Sequence, residues 1–265
     1  MSDEITAGVA RQYATSERLA ARGRLHRNHT VAETPWFEWV AAHLPLTDGT
    51  RVLDAGCGPG WFWEAGAPAL PQRLTLTLAD ISPGMIAEAT TRCRTLRTWT
   101  VEGVVADAQA LPFPDASFDT VVAMHMLYHV PDQQAAIAEM HRLLKPGGTL
   151  AVTTNGAGNL SQLYALTTVF GSDPVDPSGA AFGFDRALDL LGARFGNVRR
   201  HIHPGHLRIT DAEDVFLALT SYPPGDQADD LTLAAFRAAI ADAFAKGGGA
   251  LVADRQVGLF LSRKA

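Results

Sequence analysis

The chain is poor in the residues that staple or anchor a protein. It has 2 cysteines in 265 residues, too few for a disulfide framework or a four-thiolate zinc site. Positive charge is in deficit, with 22 Lys and Arg against 28 Asp and Glu for a net charge of −6. That excludes the global basic field of a protein that binds nucleic acid or an anionic membrane surface non-specifically. No uninterrupted apolar run approaches the roughly 20 residues that span a bilayer. The opening segment, MSDEITAGVARQYATSERLAARGRLHR, lacks the apolar stretch of a secretory signal. Charged residues make up 19% and hydrophobic residues 47%, a globular balance. No repeat is visible, and the Gly/Pro-dense stretches are short turns. These absences predict one soluble, cytoplasmic α/β protein of enzyme size.

What is present is an alternation of strands and helices. Residues 1–48 read as a helical cap, with apolar positions at helical spacing through Val9, Tyr13 and Leu19 and again through Trp36–Val40 and Leu44. From Arg51 the pattern changes. Strands are predicted at 51–56, 73–80, 101–107, 117–125 and 149–155, with helices between them. Ser82 with Pro83 opens one helix, and Lys145-Pro146-Gly147-Gly148 stops another. Five alternations argue a doubly wound, mostly parallel sheet in residues 49–155. Residues 156–246 read as a substrate-side lobe: a helix at 160–170, a loop, a helix near 184–191, a strand at 197–203 and helices at 211–221 and 228–246. Residues 247–265 carry a final strand, and the whole reads as one domain.

The segment richest in information is VLDAGCGPG, residues 52–60. Gly56, Gly58 and Gly60 follow a strand directly, where glycine lets backbone approach a ligand at unusual φ. The spacing G-x-G-x-G is not the dinucleotide fingerprint G-x-G-x-x-G, whose last glycine would fall at Trp61. No Gly-Lys-Ser/Thr follows, which excludes a P-loop. Two acids then recur at strand ends. Asp80 is placed to accept from both hydroxyls of a ribose. Asp107 lies where an adenine amine would reach it, with the Ala108 N–H available to a ring nitrogen. One such acid alone reads as a solvated loop cap; three strand-end acids in series, with Asp54, do not.

On these residues the chain resembles the class I S-adenosylmethionine-dependent methyltransferases, in particular the small-molecule group similar to the ubiquinone-biosynthesis methyltransferases. The matching segments are VLDAGCGPG (52–60), LADISPGM (78–85), VVADAQALPFPDASFDTVVAMHMLYHV (104–130) and LLKPGGTLAVT (143–153). The resemblance implies a Rossmann-like, seven-stranded sheet with its last strand antiparallel, at residues 250–263. It also implies S-adenosylmethionine as cofactor. Gly56, Gly58 and Gly60, with Cys57 between them, would line its methionine part, supported by Asp54. Asp80 and Ile81 would hold the ribose, Asp107 and Ala108 would read the adenine, and Met124 would border the site. Met85 would pack on the adenine or simply fill the core.

Methyl transfer from a sulfonium is an in-line displacement, and the enzyme contributes mainly alignment. A hydroxyl or ammonium nucleophile must also lose a proton, for which histidine is suited. His125 and His129 follow the fourth core strand and are the candidate bases; the bland alternatives are a backbone contact to the cofactor and a loop-locking hydrogen bond. Tyr13 and His29, in a segment expected to close over the cofactor, can also reach the site. Trp36 and Trp39 read as anchors of the N-terminal helices, and Arg18, Arg22 and Arg24 as a solvated helix face, with reception of an anionic substrate as the alternative. His201 and His203 share a strand face, but no third ligand lies nearby, so no metal is expected. Cys57 and Cys93 are expected to be free thiols. The acceptor is expected to be a small organic molecule, held between the N-terminal helices and a lobe offering Tyr164, Phe170, Phe182, Phe184 and His206, with no nucleic-acid or membrane partner. Two other functions stay open: a non-catalytic S-adenosylmethionine-binding module, and an enzyme of this fold that cyclises or cleaves the cofactor.

Overall fold

In the computed structural model, residues 17–265 are described. Ten strands and ten α-helices organise them. The helices are α1 (Glu17–His29), α2 (Trp36–His43), α3 (Trp61–Gly66), α4 (Pro83–Cys93), α5 (Gln133–Leu143), α6 (Ser161–Tyr164), α7 (Pro177–Ala181), α8 (Phe184–Phe195), α9 (Ala212–Leu219) and α10 (Asp230–Lys246). The strands are β1 (Thr30–Val31), β2 (Arg51–Ala55), β3 (Thr75–Asp80), β4 (Thr100–Val105), β5 (Phe118–Met124), β6 (Leu144–Asn155), β7 (Arg199–Ile202), β8 (His206–Ile209), β9 (Leu251–Asp254) and β10 (Val257–Arg263).

Seven strands form the main sheet in the order β4-β3-β2-β5-β6-β10-β7. From β4 through β6 all neighbours are parallel, and β10 runs antiparallel between β6 and β7. The chain winds outward from β2 to β4, then returns to place β5 on the other side of β2. The carboxyl ends of β2 and β5 are therefore the switch point, where open α/β sheets leave a crevice. Alternating side chains fill two opposite layers. Leu53, Ala55, Val121 and Val152 pack with Ile137 and Met140 of α5 and Ala187 and Leu191 of α8. Val52, Leu76, Leu78 and Val122 pack with Val40 of α2, Trp63 of α3 and Ala89 of α4.

Local signals act as expected at several boundaries. Ser82 Oγ accepts from the Met85 N–H at 3.3 Å with Pro83 in the first turn, and Asp132 caps α5 through the Ala135 N–H at 2.9 Å. The Lys-Pro-Gly-Gly stop, however, lies inside β6. Leu144 already pairs with Phe118, and the register then shifts before Thr120 meets Thr149. Gly147 takes φ 77° in that irregularity, so the extra residues are absorbed as a bulge.

A second, smaller lobe has its own sheet, β1-β8-β9, antiparallel throughout. Its core joins Leu25 of α1, Leu163, Leu207, Ile209, Val215, Phe236, Ile240 and Leu251. Three expectations are corrected here. The single final strand is two: Leu251–Asp254 belongs to the small sheet, and only Val257–Arg263 enters the main one. The helix at 160–170 is one α turn, Ser161–Tyr164, followed by a 3-10 helix, Ala165–Phe170. Residues 184–195 flank the main sheet rather than standing over its edge, and Phe182, fully buried, lies in the same core.

Candidate active site

The turn after β2 is built on positive φ: 74° at Gly56, 52° at Gly58 and 78° at Gly60. The Gly56 and Cys57 N–H groups both donate to the Ala79 carbonyl, at 2.7 and 3.0 Å, which curls the chain over the end of β3. A Cβ at Gly60 would lie 3.1 Å from the Ala89 backbone, so this glycine allows α3 and α4 to meet. At Gly58 a Cβ would meet nothing within 4 Å. That glycine faces open space.

Asp54 is fully buried and accepts from the Trp63 indole N–H at 2.7 Å on Oδ2. Its Oδ1 is buried with no hydrogen-bond partner among the described residues. Burial, followed by the nearby Asp80 charge, raises its pKa to about 7 against the indole bond that lowers it. Asp80 ends β3 half-buried. Its Oδ2 accepts from the Gly58 N–H and its Oδ1 from the Ser82 N–H, each at 2.9 Å. Burial raises its pKa, and these backbone donors oppose the rise. Asp80 thus clamps the glycine turn, and a carboxylate's roughly four acceptor sites leave it capacity for a further donor.

Ile81 is a 37% exposed apolar side chain beside it. Asp107 is exposed and accepts from the Gln109 N–H and side-chain amide at 2.9–3.1 Å, while Ala108 is buried in the core. Met85 is 1% exposed. Met124 is half-buried against the second core layer. Cys57 and Cys93 are free; burial pushes the Cys57 thiol up, and the Cys93 thiol to about 12.

His125 follows β5 in the left-handed region, φ 52°, a conformation that non-glycine residues rarely hold without a surrounding constraint. Its N–H donates to Thr153 Oγ1 at 3.0 Å and to the Thr153 carbonyl at 3.3 Å. Its ring lies 5.6 Å from Trp36. Burial, then the Arg255 charge, lowers its pKa to about 3. His129 ends the next short helical turn, and burial, then Arg22, lowers it to about 4. Both rings are neutral at pH 7 and weak proton acceptors.

The second lobe brings further groups to this edge, of which the sequence points to Arg22 and Tyr164 but not to His26, Arg255 or Tyr222. His26 on α1 is held near 3 by burial, with Arg255, His125 and Arg22 adding to the shift. The guanidinium of Arg255 lies 5.2 Å from the Trp36 ring and donates to His203 Nδ1 at 2.6 Å. Arg22 lies 5.5 Å from the Tyr222 ring. Burial raises the phenols of Tyr164 and Tyr222, the latter to about 12. Met126, also unflagged, packs its side chain against Gly56. Helical spacing puts Arg22 and His26 on one face of α1, four residues apart, a signal that was available. Arg255 sits between two strands of different sheets and gave none.

Other expectations resolve differently. His29 bonds to Asp214 Oδ2 at 2.9 Å, where Arg24 also pairs, so it fastens α1 to α9 away from the crevice. Tyr13 lies outside the described residues. Trp36 stacks on Trp39 at 5.6 Å while its other neighbours are the crevice groups. Both ring nitrogens of His203 are engaged, Nδ1 by Arg255 and Nε2 by donation to the Thr34 carbonyl at 2.9 Å. Among the described residues no cluster of three or more His, Cys, Asp or Glu is placed to hold a metal. Of the five lobe residues expected around an acceptor, Phe170 packs on Phe236 in the lobe core, Phe182 lies in the main core and Phe184 packs on Phe260. His206 sits in β8, and Tyr164 is the one that joins the crevice groups.

A seven-stranded sheet with β10 antiparallel beside β6, and a glycine turn clamped by the next strand's carboxylate, define the Rossmann-like fold of the class I methyltransferases. Residues 53–152 match the methyltransferase domain family. The chain is 39% identical over 124 residues to 27-O-demethylrifamycin SV methyltransferase of Amycolatopsis mediterranei, covering 46% of this chain and 44% of that one. It is 35% identical over 152 residues to a ubiquinone/menaquinone biosynthesis C-methyltransferase of Xanthomonas campestris, covering 56% of each. The matches thus span about half the length of these curated relatives. The solved structure of the 4+2 cyclase SpnF shares the fold over 97% of this chain and 95% of its own, with TM-score 0.57 and 24% identity.

Proposed function

We propose that this protein transfers a methyl group from S-adenosylmethionine to a small organic acceptor held between the main sheet and the second lobe. The observation that carries the reading is the turn itself: Gly58, open above, tied at its N–H to Asp80, within the segment that matches the methyltransferase domain family. The residues present fit the cofactor. Gly56–Gly60 would receive its methionine part, the unpartnered Asp54 Oδ1 offers an acceptor to its ammonium end, and the spare acceptor capacity of Asp80 suits ribose hydroxyls. When bound, S-adenosylmethionine supplies an electrophilic methyl group on a sulfonium.

The chain's own groups then align the nucleophile, an effect worth up to about 7–11 kcal/mol in favourable models. His125 and His129, neutral and of low basicity, can accept a hydrogen bond from that nucleophile and orient it. The same low basicity favours an acceptor that needs little help losing its proton. The acidic balance supports a small molecule over a nucleic acid, and no described helix is long and apolar enough to cross a membrane.

Titration calorimetry with S-adenosylmethionine tests the cofactor, with NAD as the control; NAD binding in its place would overturn the reading. Release of S-adenosylhomocysteine only on addition of a metabolite pool would support transfer. A second reading, cyclisation without methyl transfer, draws on the near full-length likeness to a cyclase fold. It predicts a converted acceptor with no S-adenosylhomocysteine formed, and cleavage of the cofactor would instead release methylthioadenosine.

A further inference from the structure

Five arginines among the described residues pair with a carboxylate: Arg24 with Asp214, Arg73 with Asp48, Arg92 with Glu64, Arg142 with Glu139 and Asp115, and Arg237 with Glu213. Arg255 is the most enclosed arginine among the described residues, 8% exposed, and no acidic side chain among them pairs with it. Its neighbours are the neutral ring of His203, the face of Trp36, and the His26 and His125 rings whose protonation it opposes. One N–H is satisfied by His203 Nδ1, and Nε is buried without a partner.

A guanidinium taken out of water without an anion is among the costliest arrangements a fold can hold. Here it is also held in place. His203 donates through Nε2 to the Thr34 carbonyl, which fixes the tautomer that leaves Nδ1 to accept from Arg255. The remaining N–H groups are those of a planar fork suited to a carboxylate.

We infer that Arg255 receives a carboxylate carried by the methyl acceptor. The inference rests on the proposed function and adds the acceptor's class: an organic acid, with its anionic group on the β6–β10 side of the crevice. Arg255 lies between β9 and β10 with His203 and Trp36 against its guanidinium, and filling the cofactor site with S-adenosylhomocysteine in the test below separates this anion from the cofactor's own carboxylate. A single charge is the match for a single unpaired guanidinium, and the neutral His26 and His125 add hydrogen-bonding groups without more charge.

The test uses protein saturated with S-adenosylhomocysteine and three probe pairs: acetate, benzoate and octanoate, each against its methyl ester. At least one carboxylate should bind ten-fold or more tightly than its ester. In Arg255→Gln that preference should vanish while S-adenosylhomocysteine affinity stays within two-fold, and Arg255→Lys should keep part of it. A merely structural arginine would not move the acid-to-ester ratio. Equal binding of every acid and ester by the unaltered protein overturns the inference even if Arg255→Gln does not fold. A ten-fold loss of S-adenosylhomocysteine affinity in folded Arg255→Gln, with no acid preference in the parent, would give the site to the cofactor instead. Carboxylate binding by a protein that ignores S-adenosylmethionine would leave Arg255 an acid receptor and sink the methyltransferase reading alone.

Discussion

The main sheet and the second lobe bury apolar surface equally well but are encoded in different ways. Between Arg51 and Asn155 the parallel strands lie beside strands near them in sequence, and a helix follows each of β2, β3 and β5; β4 runs to β5 through a loop with no helix, where the sequence predicted one. The lobe's core draws on Leu25, Leu163, Val215, Phe236 and Leu251, more than two hundred residues apart at the extremes, and its strands are two to four residues long. A contiguous half presents a glycine turn and two carboxylates. A half assembled from distant pieces brings His26, Arg255, Tyr164 and Tyr222 to the same edge. The division predicts that cofactor binding and acceptor selection can be damaged separately.

The largest effect is expected at Gly58. Nothing lies within 4 Å of a Cβ placed there, so Gly58→Val meets no protein atom at its Cβ and fills the space above the turn. The left-handed φ adds a strain of about 1–2 kcal/mol. S-adenosylmethionine affinity should fall at least a hundred-fold in a protein that still melts cooperatively. Retained affinity would mean that the cofactor does not lie over this turn, and the comparison between the two halves would lose its basis.

Asp80→Asn comes next. Each charge-assisted hydrogen bond is worth about 1.5–3 kcal/mol, so losing one to the ribose should weaken cofactor binding about ten- to a hundred-fold. Because Asp80 also holds Gly58 and Ser82, Asn is the informative change: its amide oxygen can keep one clamp. A matching fall in melting temperature without loss of affinity would make Asp80 a support for the turn only.

The lobe should answer to Asp214. This carboxylate, 2% exposed, ties His29, Arg24 and Asn28 of α1 to α9. Breaking a buried pair by removing one partner costs about 3–5 kcal/mol. Asp214→Ala should lower the melting temperature and raise the acceptor's KM several-fold, while S-adenosylhomocysteine affinity stays within about two-fold. An equal loss of both affinities would show that the two regions form one cooperative unit.

The same contrast sets what the sequence revealed. The strand ends at Ala55, Asp80 and Met124, the Ser82 cap and the glycine turn were legible because each depends on neighbours in the chain. The carboxylate after β3 was located correctly, yet its present partners, two backbone N–H groups, could not be read from residue types. The final segment read as one strand because ALVADRQVGLFLSRK is apolar almost throughout; Arg255, in its middle, is where the chain leaves one sheet for the other. His29 is engaged by Asp214, 185 residues away, a partner that no local pattern announces. Long-range pairing assigns such side chains, and no periodicity carries it.

The smallest effect concerns pH, and it separates orientation from proton transfer in the crevice. His125 and His129, held near 3 and 4 by burial with Arg255 and Arg22 adding to it, stay neutral from pH 5.5 to 8. Their contribution to kcat/KM should therefore change by less than about two-fold across that range. His125→Asn should lower kcat without introducing or removing an inflection near 6.5. Stability follows the opposite rule. The unfolded chain binds protons on these rings below about 6.5 and the folded chain does not, so their stabilising contribution is complete above 6.5 and is lost as pH falls toward 4. Asp54, raised to about 7 when folded, acts in the other sense: its contribution is complete below the ordinary carboxylate range and is lost as pH rises through 7. The clean readout is a difference, the melting temperature of the parent minus that of His125→Asn at pH 7 and at pH 4.5, which cancels Asp54. That difference should shrink at pH 4.5. A constant difference, or an activity inflection near 6.5 that His125→Asn abolishes, would show a histidine titrating normally and restore it as a general base.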